Sequence, residues 1–160
     1  MQRKNNSFEL KGNELIYTRL LNAPRELVWE AWTDPEHLKE WWGPDGFTIT
    51  NKSMKLEKGS EWKFVMSGHG YNFDERIEYL EIVKPSLLKY RHHDDTNEEA
   101  SFTVFVNFED VQGKTLLTMR SVFQSAEVLA ELNRQVNAIA GGTQTLDKME
   151  KYVNLINSKN

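Results

Sequence analysis

The sequence predicts an α+β domain in which a curved antiparallel sheet packs against one long C-terminal helix. Three observations carry this. Apolar residues alternate with polar ones through most of the segment from Phe47 to Phe123, the period of half-buried strands. Short turns separate these runs, too short for parallel crossovers, so consecutive strands pair antiparallel. From Ser125 to Ile156 the period changes: Leu129, Leu132, Val136, Ile139, Thr143, Leu146, Met149, Val153 and Ile156 fall three or four apart, on one helical stripe.

Each element follows from local chemistry. Glu14–Leu21 is rich in strand formers and reads as the first strand, with residues 1–13 a flexible or loosely packed leader. Asn22-Ala23-Pro24 opens a helix whose buried face is Leu27, Val28, Ala31 and Trp32. Asp34-Pro35 supplies a cap and a first helical residue for a second short helix, ended by Trp42-Gly43-Pro44. Strands are then expected around Phe47–Thr50, Trp62–Met66, Asn72–Val83, Leu88–His92, Phe102–Phe108 and Leu117–Phe123, six or seven in all. Ser125 caps the long helix, with Glu127 and Glu131 near its positive end. Gly141-Gly142 interrupts that helix, and each glycine costs ~1 kcal/mol in a helix interior relative to alanine. A bend is expected there.

Bulk properties narrow the function. One chain of 160 residues with 39% hydrophobic and 28% charged residues is a single globular domain, 1–160. A net charge of −4 without basic blocks argues against nucleic acid or anionic membranes as partners. The absence of cysteine removes disulfides, thiol catalysis and thiolate metal sites, and fits a reducing cytoplasm. The polar N-terminus lacks the apolar run of a signal peptide, and no apolar stretch reaches membrane-spanning length.

One helical stripe cannot fill a curved sheet, so a cavity between them is expected, with the apolar lining and few polar groups of a small-molecule site. The predicted lining is Trp42, Phe47, Trp62, Phe64, Met66, Tyr90, His92, Phe102, Val104, Leu117 and Met119, with Val136, Ile139 and Thr143 from the helix and Gln135 at the edge. Trp29 and Trp32 read as core, whereas Trp42, before a Gly-Pro turn, either packs or stands at the mouth. His92 shares the parity of Leu88 and Tyr90, so it is a general base, a group that orients a polar part of a ligand, or a hydrogen-bonded core-edge histidine. Adjacent His92 and His93 face opposite ways on a strand and make a poor metal pair; no metal or cofactor is expected. In Asp74-Glu75-Arg76, alternation separates Glu75 from its neighbours without saying which face is inward. Arg120 reads as outward, and no nucleophile elbow, phosphate loop or dinucleotide fingerprint is present.

The run Ala23-Pro24-Arg25-Glu26-Leu27-Val28-Trp29-Glu30-Ala31-Trp32-Thr33-Asp34-Pro35-Glu36-His37-Leu38, followed by Trp41-Trp42-Gly43-Pro44, resembles the opening motif of a known family. This is the family of activator of heat-shock-protein-90 ATPase homologues, within the START-like (SRPBCC, Bet v 1-like) superfamily. The resemblance continues at Phe64-Val65-Met66, Glu81-Ile82-Val83-Lys84-Pro85, Thr115-Leu116-Leu117-Thr118 and Leu146-Asp147-Lys148-Met149. It implies a helix-grip fold around a hydrophobic cavity. It also implies three classes of activity: binding of a small hydrophobic or aromatic molecule, a cyclase- or hydrolase-like reaction, or stimulation of a chaperone ATPase; for the second, strand parity offers His92 and Tyr90 as the proton-transfer groups. The co-chaperones carry a separate N-terminal domain, for which no room is expected before Glu14. Similar proteins commonly have Gly-Trp where this chain has Gly141-Gly142, so ring volume is expected to be missing there. Either a monomer or a homodimer fits the sequence.

Overall fold

The structure is a computed structural model and describes residues 7–159. The strands are β1 Ser7–Lys11, β2 Glu14–Leu21, β3 Phe47–Met54, β4 Glu61–Gly68, β5 Tyr71–Val83, β6 Leu87–His93, β7 Phe102–Val111 and β8 Lys114–Val122. The helices are α1 Arg25–Thr33, α2 Pro35–Trp41, α3 Ala126–Val136 and α4 Ala138–Asn157. All eight strands form one antiparallel sheet in the order β1-β2-β8-β7-β6-β5-β4-β3. The chain's first long strand closes against its last, from Glu14↔Val122 to Leu21↔Thr115, while β3 to β8 form a meander. Register shifts at Asn51/Ser53 and Tyr79/Glu81 add local twist, which helps curve the sheet.

β1 is an eighth strand beyond the six or seven expected. It lies within the segment read as a loose leader, all five of its residues are exposed, and it pairs only with β2. The rest of that leader, residues 1–6, lies outside the described residues.

Side-chain alternation divides the sheet cleanly. On the concave face Tyr17, Trp62, Phe64, Ile77, Tyr79, Leu88, Tyr90, Val104, Val106, Phe108 and Leu117 are buried. They meet Leu146, Met149 and Val153 of α4 and Val28, Trp29 and Trp32 of α1. The convex face carries charge. Arg76 pairs with Glu61 at 2.6 Å and Asp95 at 2.7 Å, and Arg120 lies over the Phe105 ring at 4.2 Å. Burial of one apolar face against helices is what makes this pattern a stable layer. The result is the helix-grip arrangement. No helix among the described residues is long and apolar enough to cross a membrane.

The predicted caps form: Asp34 accepts from the Glu36 N–H at 2.9 Å, and Ser125 from the Val128 N–H at 3.1 Å. The expected single helix does not. The chain breaks at Asn137, whose φ of 55° and ψ of 48° are left-handed, and Gly141-Gly142 lies inside α4 without a break. Asparagine tolerates that conformation better than other residues with a Cβ. The side chain of Asn133 then accepts from the Ile139 N–H at 3.0 Å, satisfying a donor at the start of α4.

Candidate functional site

The aromatic floor of the concave face comes from β4 and the turn after α2. Trp62 and Phe64 stack at 4.1 Å, and Trp42 stands edge-on to Trp62 at 4.9 Å. The Trp62 indole donates to Asn51 Oδ1 at 2.8 Å, which fixes its rotation. Trp42 is half-buried, so it both packs on this stack and shows an edge to solvent. Deeper in, Tyr90 is 2% exposed. Burial pushes its phenol well above the ordinary range, and neighbouring Tyr79 adds to this. Tyr90 is thus part of the packed core, whereas its predicted partner His92 is half-buried.

The group that joins His92 is Glu75. Antiparallel register places Glu75 opposite Phe64 and His92 opposite both Ile77 and Phe102, so all lie on the concave face. His92 Nε2 and Glu75 Oε2 are 3.7 Å apart, and each side chain is 20% exposed. The Phe102 ring lies 5.1 Å from the imidazole and stacks on Phe123 at 4.7 Å. Asp74 and Arg76, either side of Glu75, turn to the convex face, where Asp74 meets Lys52 at 3.0 Å. His93 also turns outward, 2.9 Å from Glu78. The two histidines therefore face opposite ways, and no group of three or more potential metal ligands occurs among the described residues.

The other end of the face is closed by α4. The Tyr17 hydroxyl donates to the Ile139 carbonyl at 2.7 Å and occupies the space beside Gly142. A Cβ on Gly142 would come within 2.3 Å of that hydroxyl. Burial raises the Tyr17 pKa to about 12, opposed by its hydrogen bond with Thr143 and by Arg19. The volume expected to be missing at Gly142 is filled by another ring. Next to it Arg19, 6% exposed, pairs with Asp147 at 2.6 Å and Glu150 at 3.3 Å. These groups border an open, polar depression of about 510 Å³ with Thr143, Lys151 and Asn154. A second depression of about 250 Å³ lies among Lys63, Phe64, Asp74, Glu75, Arg76 and Asp95.

Of the predicted lining, Trp62, Phe64, Tyr90, Val104 and Leu117 are buried core. Trp42, Phe47, Met66, His92, Phe102, Met119, Ile139 and Thr143 are only partly covered. Phe47 lies at the far edge, against His69 and Phe73. Two residues belong elsewhere. Val136 is 67% exposed, and Gln135 donates to Glu131 at 2.7 Å along its own exposed helix. Both end α3, and the left-handed turn at Asn137 takes them off the stripe that continues in α4. Glu75, Tyr17 and Arg19 were not predicted. Arg19 had a signal, since it shares the parity of Leu15, Tyr17 and Leu21. Glu75 had a divided one: it shares the parity of Phe73, Ile77 and Tyr79, but Leu80 and Ile82 lie on the other parity, at and beyond the register shift at Tyr79/Glu81.

Structural relatives share this architecture at low identity. A protein from Arthrobacter aurescens superposes with a TM-score of 0.87 at 19% identity, covering 95% of this chain and 93% of that one. One from Rhodobacter sphaeroides gives 0.83 at 18%, covering 95% and 99%. One from Nitrosomonas europaea gives 0.79 at 21%, covering 91% and 96%. Likeness at this identity is likeness of fold. No significant sequence match to a curated protein was found. Residues 22–154 match the family described as activator of Hsp90 ATPase homolog 1-like protein. Because that match runs from the turn before α1 into the last turns of α4, the chain belongs to the activator of Hsp90 ATPase homolog 1-like family.

Proposed function

We propose that this protein binds a small apolar or aromatic molecule on the part of the concave face that the helices leave partly exposed. One observation carries the reading: the half-buried groups Trp42, Met66 and Phe102 share that face with a single carboxylate–imidazole pair, Glu75 and His92. Apolar surface with a few convergent polar groups is the composition of small-molecule sites. The other charged residues of β4 and β5 point to the convex face, so Glu75 is the exception on these two strands. Binding rather than catalysis is favoured because the second group proposed for chemistry, Tyr90, is enclosed and held neutral. Stimulation of a chaperone ATPase rests on the family's name, and no surface described above favours it.

A thermal-shift screen of small aromatic compounds tests the proposal. A ligand at a hundred times its dissociation constant adds ~2.7 kcal/mol to the stability of the folded state. The expected result is a raised unfolding temperature for some aromatics and a smaller rise for Met66→Glu, which places a charge beside the apolar contact. A screen in which no compound raises the unfolding temperature defeats the proposal.

A further inference from the structure

We infer that the bound molecule presents a hydroxyl group, on its aromatic or apolar frame, to Glu75 and His92 together. This rests on the binding reading above and specifies the chemistry of the ligand. The starting point is a gap. On the convex face the comparable pairs are closed, Arg76–Glu61 at 2.6 Å and His93–Glu78 at 2.9 Å. On the concave face His92 Nε2 and Glu75 Oε2 stand 3.7 Å apart, too far for a direct hydrogen bond. One oxygen can stand about 2.8 Å from both atoms, to the side of the line that joins them.

The polarity of the gap selects the group. A ring nitrogen facing a carboxylate carries its hydrogen, so the pair offers one donor, His92 Nε2–H, and one acceptor, Glu75 Oε2. A hydroxyl accepts from the first and donates to the second. An ammonium only donates and would set N–H against N–H. A carboxylate or phosphate only accepts and would face Glu75 with like charge. The surroundings select the frame: the half-buried Phe102 lies 5.1 Å from the imidazole and stacks on Phe123. Both polar side chains are 20% exposed, so a ligand reaches them without opening the sheet.

Calorimetric titration of the full chain with 2-naphthol, naphthalene and 2-naphthylamine decides the matter. The expected result is that 2-naphthol binds at least about tenfold tighter than naphthalene. In Glu75→Leu and in His92→Phe, both of which keep apolar contact, that advantage falls below about twofold while naphthalene affinity stays within about threefold. Equal affinity for 2-naphthol and naphthalene overturns the hydroxyl assignment and leaves the binding reading standing. Tighter binding of 2-naphthylamine than of 2-naphthol also overturns it, in favour of an amine. An advantage retained in either folded variant overturns the assignment to this pair. Failure of all three probes to bind the unaltered chain overturns the binding reading itself. Thermal unfolding verifies that each variant is folded, and either variant suffices for the comparison.

Discussion

At the scale of single residues, Gly141 and Gly142 are adjacent, share a helix and have opposite reasons to exist. A Cβ on Gly141 would meet only Pro44 Cβ, at 3.6 Å, an ordinary contact. A Cβ on Gly142 would lie 2.3 Å from the Tyr17 hydroxyl and 2.7 Å from its ring. Moving that ring would break the bond to Ile139 in a region where Tyr17 is 3% exposed. Gly141→Ala is therefore expected to stabilise the fold by up to ~1 kcal/mol through helix propensity. Gly142→Ala is expected to destabilise it by ~1–2 kcal/mol despite the same gain in propensity, and Gly142→Trp by more. Urea unfolding of the three variants measures this, and equal effects at 141 and 142 would contradict it. The space expected to be empty beside Gly142 is occupied here by the Tyr17 ring.

At the scale of elements, the break at Asn137 decides which side chains reach the sheet. A helix continuous from Ser125 would keep Val136 on the stripe of Ile139 and Leu146. The left-handed residue instead ends α3, releases Val136 and Gln135 to solvent, and lets Ile139 meet Tyr17. Asn137→Gly is expected to leave stability within ~0.5 kcal/mol, because glycine adopts this conformation freely. Asn137→Val is expected to cost ~1–2 kcal/mol, the penalty of a Cβ in left-handed geometry. Comparing denaturation midpoints of the two variants reads the difference. The sequence pointed to a defect in this helix but placed it at the glycines, since propensity registers glycine strongly and asparagine weakly. The Tyr17 ring explains why position 142 carries no side chain, and both glycines lie within α4.

At the scale of the whole molecule, the sheet and α4 are joined by apolar packing and by one buried cation. Arg19 on β2 reaches Asp147 and Glu150, residues 128 and 131 positions later in the chain. Its side chain is 7% exposed, whereas Asp147 is 62% exposed, so the two sides of the pair are not equivalent. Arg19→Ala is expected to destabilise the protein by ~2–4 kcal/mol, from lost packing of the stem and an uncompensated carboxylate pair. Asp147→Asn is expected to cost under ~1 kcal/mol, because its carboxylate is mostly solvated and Glu150 remains. Thermal or urea unfolding distinguishes them; a larger loss at Asp147 than at Arg19 would show that the link is not anchored from the sheet side.

Apart from β1 and the division of the last helix, the order of elements was determined by the sequence alone, as were the antiparallel meander, both helix caps and the inward parity of β4, β6, β7 and β8. These depend on period, turn length and capping groups, which are local properties. So was the outward direction of His93 and Arg120, and the inward direction of His92. Which face of β5 is inward, where the last helix breaks, and what fills the space at Gly142 were decided only in the folded chain. The first and the last depend on neighbours remote in sequence: Phe64 and His92 for Glu75, and the α4 carbonyl at Ile139 for Tyr17. The candidate site shows both origins. Its apolar floor follows from alternation, and its one polar pair exists because strand register brings position 75 to the face that already held position 92.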